Sequence, residues 1–183
     1  MKYFIKFNYL FIKLNKKFFN INIGDSVSLN GICLTLIYKN KLFLEFEFSY
    51  ITFLNASIFY KSYFNFEKSF NIFNNLNGHL NYGHINNLSI FKNIFIKFNI
   101  VKIYLIFFYY FRNLIIYKFS ISLNGISFTI NEIIFYKNKF ILLSINIIFF
   151  TFLLTNLKFL NILEKINIEF DFSIFYIIKS LNY

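Results

Sequence analysis

Apolar and polar positions alternate along much of the chain in short runs broken by turn residues. In Ser26–Leu36 (Ser-Val-Ser-Leu-Asn-Gly-Ile-Cys-Leu-Thr-Leu) an Asn-Gly pair separates two such runs, and the arrangement returns in Ser120–Ile130. Alternation with a period of two sets one strand face on a core and the other in solvent. Asn-Gly between two such runs predicts a tight hairpin, because a type I′ turn holds both central residues at positive φ. Hairpins are therefore expected at Asn30-Gly31 and at Asn124-Gly125.

The two segments are one motif used twice. Aligned at an offset of 94, Ser26–Leu36 and Ser120–Ile130 are identical at seven of eleven positions. Further along, Tyr38-Lys39-Asn40-Lys41 returns as Tyr136-Lys137-Asn138-Lys139, and Phe64-Asn65-Phe66-Glu67 as Ile166-Asn167-Ile168-Glu169. Upstream, Ile5-Lys6-Phe7-Asn8 returns more weakly as Ile96-Lys97-Phe98-Asn99. The offset drifts from 91 to 102, as loops of unequal length would cause. Such a repeat predicts two tandem all-β units built of short strands, which suits small closed barrels. Residues 79–95 of the second copy have no counterpart before Ile5, so the first unit is expected to lack its opening strand. The division predicted is 1–78 for the first unit, 79–172 for the second and 173–183 for a helical tail.

Composition changes this picture mainly by weakening two inferences. The 183 residues include 31 Phe and 14 Tyr but no Trp or Pro, and Ala56 is the only alanine. AT-rich coding in a reduced genome would produce this bias. A net charge of +11 ordinarily points to nucleic acid or an anionic membrane. Here Arg112 is the only arginine among 19 basic residues, and the lysines are scattered without a stripe or a phosphate-gripping fork, so neither partner is expected. The strongly apolar uncharged run Phe140–Leu157 has bilayer-spanning length. It carries Ser144, Asn146, Thr151, Thr155 and Asn156, and its β-branched and aromatic residues predict strands joined by a loop. The N-terminal stretch alternates apolar residues with Lys and Asn and has no compact apolar run with a cleavage site. The single cysteine, Cys33, excludes an intramolecular disulfide and a thiolate-rich zinc site. A cytoplasmic protein is the expectation.

In so biased a chain, the residues that resist the bias carry the information. The five glycines fall in three segments: Gly24–Thr35, Gly78–His84 and Ser120–Thr129. Cys33 and both histidines, His79 and His84, fall in the same segments.

These segments resemble the riboflavin synthase family. Gly24-Asp25-Ser26-Val27-Ser28-Leu29-Asn30-Gly31-Ile32-Cys33-Leu34-Thr35 is similar to its signature, and Leu123–Ile130 to the second copy, with Asn124 where the family often has Asp. Gly78-His79-Leu80-Asn81-Tyr82-Gly83-His84 resembles the family's linking segment. Ile148–Leu157 resembles its late Thr-Leu-rich pattern without the proline, and Ile166–Asp171 its closing Asn-x-Glu-x-Asp. The likeness runs from about Gly24 to Asp171, while Met1–Ile5 does not reproduce the family's opening strand.

The resemblance implies two tandem six-stranded Greek-key β-barrels, a short C-terminal helix and a homotrimer. It implies transfer of a four-carbon unit between two 6,7-dimethyl-8-ribityllumazine molecules, giving riboflavin and 5-amino-6-ribitylamino-uracil, without cofactor or metal. By the same resemblance the catalytic residues are Cys33, His84, Ser127 and Asp171. The first barrel's ligand contacts are Ser26, Cys33, Leu34 and Thr35 with Glu47, Phe48, Ser49, Tyr50, Ile51 and Thr52. The second barrel's are Gly83, His84, Ile85, Lys118, Ser127, Phe128 and Thr129 with Ile148, Phe149, Phe150, Thr151, Phe152 and Leu153. His79 aligns as well and is read as structural. Cys33 and Ser127 hold equivalent positions, and the difference matters chemically: a thiol ionises near neutral pH, whereas a serine hydroxyl does not unaided. The alternative is a lumazine- or flavin-binding protein of the same fold without turnover.

Overall fold

The computed structural model describes residues 3–13, 20–57, 63–71, 73, 75, 78–136 and 139–181. The first unit is a sheet of six strands: β1 (Tyr3–Lys6), β2 (Tyr9–Lys13), β3 (Ser26–Leu29), β4 (Ile32–Lys39), β5 (Phe43–Glu47) and β6 (Phe66–Lys68). The second is formed by β7 (Asn87–Lys97), β8 (Ile100–Phe108), β9 (Ser120–Leu123), β10 (Ile126–Tyr136), β11 (Phe140–Ile148) and β12 (Lys165–Phe170). Strand order is β1-β2-β5-β4-β3-β6 in the open first sheet and β10-β11-β8-β7-β12-β9 in the second, a closed barrel. The two orders are the same path, cut in the first sheet between β1 and β6.

The cut follows from the length of β1. In the barrel, β12 pairs with β7 through Asn87–Ile90, while the later part of β7 pairs with β8. β1 matches only that later part: Ile5 faces Leu10 and Lys6 faces Tyr9, as Ile96 faces Val101 and Lys97 faces Ile100. β1 thus corresponds only to the end of β7 next to the turn, and the pairing that β7 makes with β12 has no equivalent between β1 and β6. Phe7 and Phe98 share a positive φ in those turns, at 55° and 53°.

Alternation places the cores as expected. β2 buries Leu10 and Ile12, β4 buries Leu34 and Leu36, and β5 buries Leu44 and Phe46. The barrel interior holds Val101, Ile103, Leu105 and Phe107 of β8 against Ile141, Leu143, Ile145 and Ile147 of β11. Each such side chain contributes about 1.5–3 kcal/mol relative to exposure. Asn30-Gly31 and Asn124-Gly125 form the expected turns, with φ of 50° and 79° in the first and 49° and 87° in the second.

Phe140–Leu157 departs from the expectation of strands joined by a loop. Strand β11 ends at Ile148, and helix α2 (Phe149–Leu154) follows with a 3-10 turn, Asn156–Phe159. Phe152 buries itself in the barrel core, so tertiary packing overrides the strand propensity of this aromatic stretch. Helix α1 (Tyr50–Asn55) stands at the equivalent place in the first unit, capped by Ser49 Oγ, which accepts Thr52 N–H. The tail forms α3 (Phe172–Leu181). Among the described residues, no helix is long and apolar enough to cross a membrane.

The units meet through asparagines arranged about an approximate two-fold axis. Asn30 N–H donates to Asn65 O at 2.9 Å, and Asn124 N–H to Asn167 O at 2.9 Å. Across the axis, Asn65 Nδ2 donates to Asn124 O (3.1 Å) and Asn167 Nδ2 to Asn30 O (2.9 Å). Asn156 N–H donates to Asn65 Oδ1, and its counterpart Ser57 N–H to Asn167 Oδ1. The repeat thus places equivalent residues of both units at one buried polar seam.

Candidate functional site

Pairing of the strands turns the sequence motif into transverse rows. On the first sheet, Cys33 faces Ser28 and Ser28 faces Glu67. On the barrel, Ser127 faces Ser122 and Ser122 faces Glu169. A second row joins Ser26, Thr35, Glu47 and Tyr9 across β3, β4, β5 and β2. Because alternate residues of a strand share a face, Cys33 and Thr35 both leave the core that Leu34 enters.

The segment 78–84 closes these rows into a cleft of about 740 Å³ between the units. Cys33, Ser28 and Glu67 line it from the first unit, Ser127 and Gly125 from the second, and His79 from the connecting segment. Cys33 N–H donates to Gly83 O at 3.0 Å. Gly83 has φ of +79°, and a Cβ there would lie 2.6 Å from Cys33 Cβ, so only glycine fits. Gly78 is packed the same way on Ser127, where an added Cβ would lie 2.8 Å from Ser127 Cβ. One glycine of the connection thus seats on each of the two positions that the repeat makes equivalent.

His79 Nδ1 lies 2.6 Å from Ser127 Oγ. Burial lowers the imidazole's pKa below its ordinary 6.5, opposed in part by the charge of Asp171. A neutral His79 can exchange a proton with the Ser127 hydroxyl, so the sequence view of His79 as purely structural missed its contact with a proposed catalytic residue. Glu67 also escaped notice; burial raises its carboxyl above 4.5. Its signal was present in the repeated Asn-x-Glu, but the sequence alone does not show which way a carboxylate faces. Asp171 sits outside this cleft, where its Oδ1 accepts Ser173 N–H at 2.9 Å and starts α3.

A second hollow of about 470 Å³ is lined by Asn8, Glu47, Phe48, Ser49 and Tyr50. Asn8 Nδ2 donates to Glu47 Oε1 at 3.1 Å, and Ser49 Oγ lies 2.9 Å from Thr52 Oγ1. Within this stretch Phe48 is buried, whereas Tyr50 and Ile51 are exposed.

Other expected contacts stand apart from both hollows. Leu34 and Phe128 point into the two cores. Thr129 is exposed on β10 opposite Ser120. Lys118 is exposed, and its backbone N–H closes onto Ile130 O at 3.0 Å. Ile148, Phe150 and Leu153 are exposed, Phe149 packs on the barrel core, Thr151 is half-buried and Phe152 is buried. His84 is exposed with its ring 6.5 Å from that of Tyr82, and Ile85 packs against the first unit's core.

No family model matches the chain. It is 34% identical over 163 residues to the riboflavin synthase of Buchnera aphidicola subsp. Schizaphis graminum, covering 84% of this chain and 73% of that one. It is 28% identical over 165 residues to the riboflavin synthase of Photobacterium leiognathi, covering 87% and 72%. Its fold is similar to that of LumP in complex with 6,7-dimethyl-8-(1'-D-ribityl) lumazine, with a TM-score of 0.72, 18% identity and coverage of 92% and 91%. LumP in complex with riboflavin gives a TM-score of 0.70 at 19% identity, covering 92% of each chain. The chain belongs to the riboflavin synthase family.

Proposed function

We propose that the chain is a working riboflavin synthase, converting two molecules of 6,7-dimethyl-8-ribityllumazine into riboflavin and 5-amino-6-ribitylamino-uracil. The observation that carries this reading is the cleft in which Cys33 and Ser127, equivalent in the repeat, stand with His79 behind the serine. One lumazine must lose a proton from its ring methyl group, and the other must accept a nucleophile at the adjacent ring carbon. A four-carbon unit then passes from one to the other, leaving the diaminouracil. Holding two rings face to face can supply up to about 7–11 kcal/mol of the barrier by orientation. Proton transfer by groups with pKa near neutrality supplies a further part.

In this reading Cys33 is the ionisable group on the first unit, and Ser127 exchanges its proton with His79 on the second. His84 and Asp171 are the other reactive residues, Asp171 through its field at His79. Thr35 and Thr129 bind the polar ring edge with Lys118, and Glu47–Thr52 and Ile148–Leu153 border the two ligands. No cofactor or metal takes part. We further propose a homotrimer in which the first unit of one copy faces the second unit of its neighbour, so that two ligands meet.

The second reading, a lumazine- or flavin-binding protein without turnover, is favoured by the open edge between β1 and β6. A barrel cut at one ladder forfeits hydrogen bonds and loosens its pocket. Incubating purified protein with 6,7-dimethyl-8-ribityllumazine and following riboflavin absorbance decides between them. Formation of riboflavin supports the synthase; saturable binding with no riboflavin supports the binding protein.

A further inference from the structure

Glu169 of β12 is a nearly fully buried carboxylate, only 5% exposed. Burying such a group is costly unless donors surround its charge. The donors here are consecutive backbone amides: Tyr82 N–H reaches Oε1 at 2.7 Å and Gly83 N–H reaches Oε2 at 3.1 Å. The backbone amide of His84, next along the chain, also favours the charged carboxylate. Burial raises the Glu169 pKa, and these three amides act against that rise. The connection is thereby fastened to the barrel at Tyr82–His84, far from Glu169 in sequence.

The middle residue of the three is fastened to the first unit from its other side. Gly83 O accepts Cys33 N–H, and the Gly83 backbone presses so closely on Cys33 that a methyl group could not enter. Glu169 and Cys33, on different units, therefore grip one turn between them.

The repeat supplies an internal control. Glu67 holds the place of Glu169 in the row Cys33–Ser28–Glu67, as Glu169 does in Ser127–Ser122–Glu169. Among the described residues nothing donates to the Glu67 carboxylate, which lines the cleft instead. Glu67 stands exposed, so its charge needs no such donors. What distinguishes position 169 is the turn it holds.

We infer that Glu169 is a positioning residue, fixing the Tyr82–Gly83–His84 turn against Cys33 and so setting the wall of the cleft and the place of the His84 ring. The functional half of this statement rests on the synthase reading; the mechanical half does not. Glu169→Gln keeps the size of the side chain but turns an amide NH₂ toward one of the backbone donors.

The test uses the full chain and three readouts: amide hydrogen exchange, alkylation of Cys33 by iodoacetamide, and steady-state kinetics. Losing charge-assisted bonds of this kind should speed exchange at Tyr82, Gly83 and Cys33 by about tenfold or more, with Leu105 in the barrel core unchanged. The alkylation rate of Cys33 should shift severalfold, and kcat should fall more than KM rises. A folded Glu169→Gln protein whose exchange at those three amides stays at the wild-type rate overturns the inference, whatever its kinetics. Faster exchange and altered alkylation in Glu169→Gln, beside a wild-type chain that forms no riboflavin, would sink the synthase reading and leave the positioning role standing. If Glu169→Gln does not fold, Gly83→Ala poses the question from the Cys33 side. Pushing the turn off Cys33 must then also quicken exchange at Tyr82 N–H, and an unchanged Tyr82 overturns the coupling.

Discussion

Gly31 and Gly125 meet backbone to backbone at the axis between the units. A Cβ on Gly31 would stand 2.7 Å from Gly125 N, and one on Gly125 would stand 2.8 Å from Gly31 N. Both also sit at positive φ, so alanine at either position meets strain and a backbone that cannot step aside. Gly31→Ala and Gly125→Ala should each destabilise the protein by about 2 kcal/mol or more. Gly24 is the control, for it has φ of +92° with nothing within 4 Å of an added Cβ. Gly24→Ala should cost about 1 kcal/mol from backbone strain alone. Urea midpoints of the three variants check the ranking, and equal losses would refute the close contact as the cause.

Asn156 ties the seam from one side only, donating to Asn30 Oδ1 at 2.9 Å and accepting from Asn65 Nδ2 and Asn124 Nδ2 at 2.9 and 3.2 Å. Asn156→Ala strands the buried Asn124 amide and weakens two further bonds, which should cost about 2–3 kcal/mol. Its counterpart Ser57 spends its side chain on a single bond to Lys165 O, at 2.9 Å. Ser57→Ala should therefore cost only about 1 kcal/mol. Chemical denaturation measures both, and a Ser57 variant as damaging as the Asn156 variant would contradict the asymmetry.

Much of this architecture was legible because local chemistry and tertiary role coincide. Asn-Gly between alternating runs favours positive φ at both residues, so both type I′ turns could be placed from the repeat alone. The matching Ile-Lys-Phe-Asn pairs, though weak as sequence, mark the twin hairpins β1–β2 and β7–β8. Helix α2 was illegible because Phe152 chooses helix by packing into the barrel, against its propensity. Ser127 was legible from its equivalence to Cys33, but its partner His79 was not, since their contact spans 48 residues and depends on Gly78 lying flat on Ser127. Glu169 was hidden for the same reason. Its role lies in which backbone amides come to it, and nothing in an alternating strand encodes that.

Two groups in the cleft give opposite pH signatures. His79 has a lowered pKa, so the fold favours its neutral form. Its contribution is complete above about 6.5 and is lost as pH falls from there through the lowered value. Glu67 has a raised pKa, so the fold favours its protonated form. That contribution is complete below about 4.5 and is lost as pH rises through the raised value. Glu67→Gln should therefore gain stability relative to wild type as pH climbs from about 4.5 and level off above the raised value, whereas His79→Gln should gain on wild type as pH drops below about 6.5. Thermal unfolding across pH 4 to 8, a range of about four units spanning both windows, checks the signs. Parallel curves for variant and wild type would show that neither group is perturbed in the fold.

Replacing Cys33 with serine gives the first unit the side chain that its counterpart Ser127 already provides in the second. The substitution leaves the local structure in place, because Cys33 is held through its backbone N–H on Gly83 O and its side chain is exposed. It removes the one thiol of the cleft, and a serine hydroxyl does not ionise near neutral pH without a base beside it. His79 serves Ser127 in that way, at 2.6 Å, and no described histidine contact reaches the Cys33 side chain. Cys33→Ser should therefore lower kcat by about 10²-fold or more, the usual contribution of a positioned acid–base group. Ligand affinity should stay within a few-fold, since the packing of Gly83 is unchanged. Thr129→Ala, on the barrel, should do the reverse and weaken binding directly by removing a hydroxyl, worth about 1 kcal/mol or roughly fivefold in Kd. Calorimetry with a non-reacting lumazine analogue, run beside the riboflavin assay on both variants, separates the two effects. Loss of binding in Cys33→Ser with full turnover in Thr129→Ala would reverse the roles assigned to the two units.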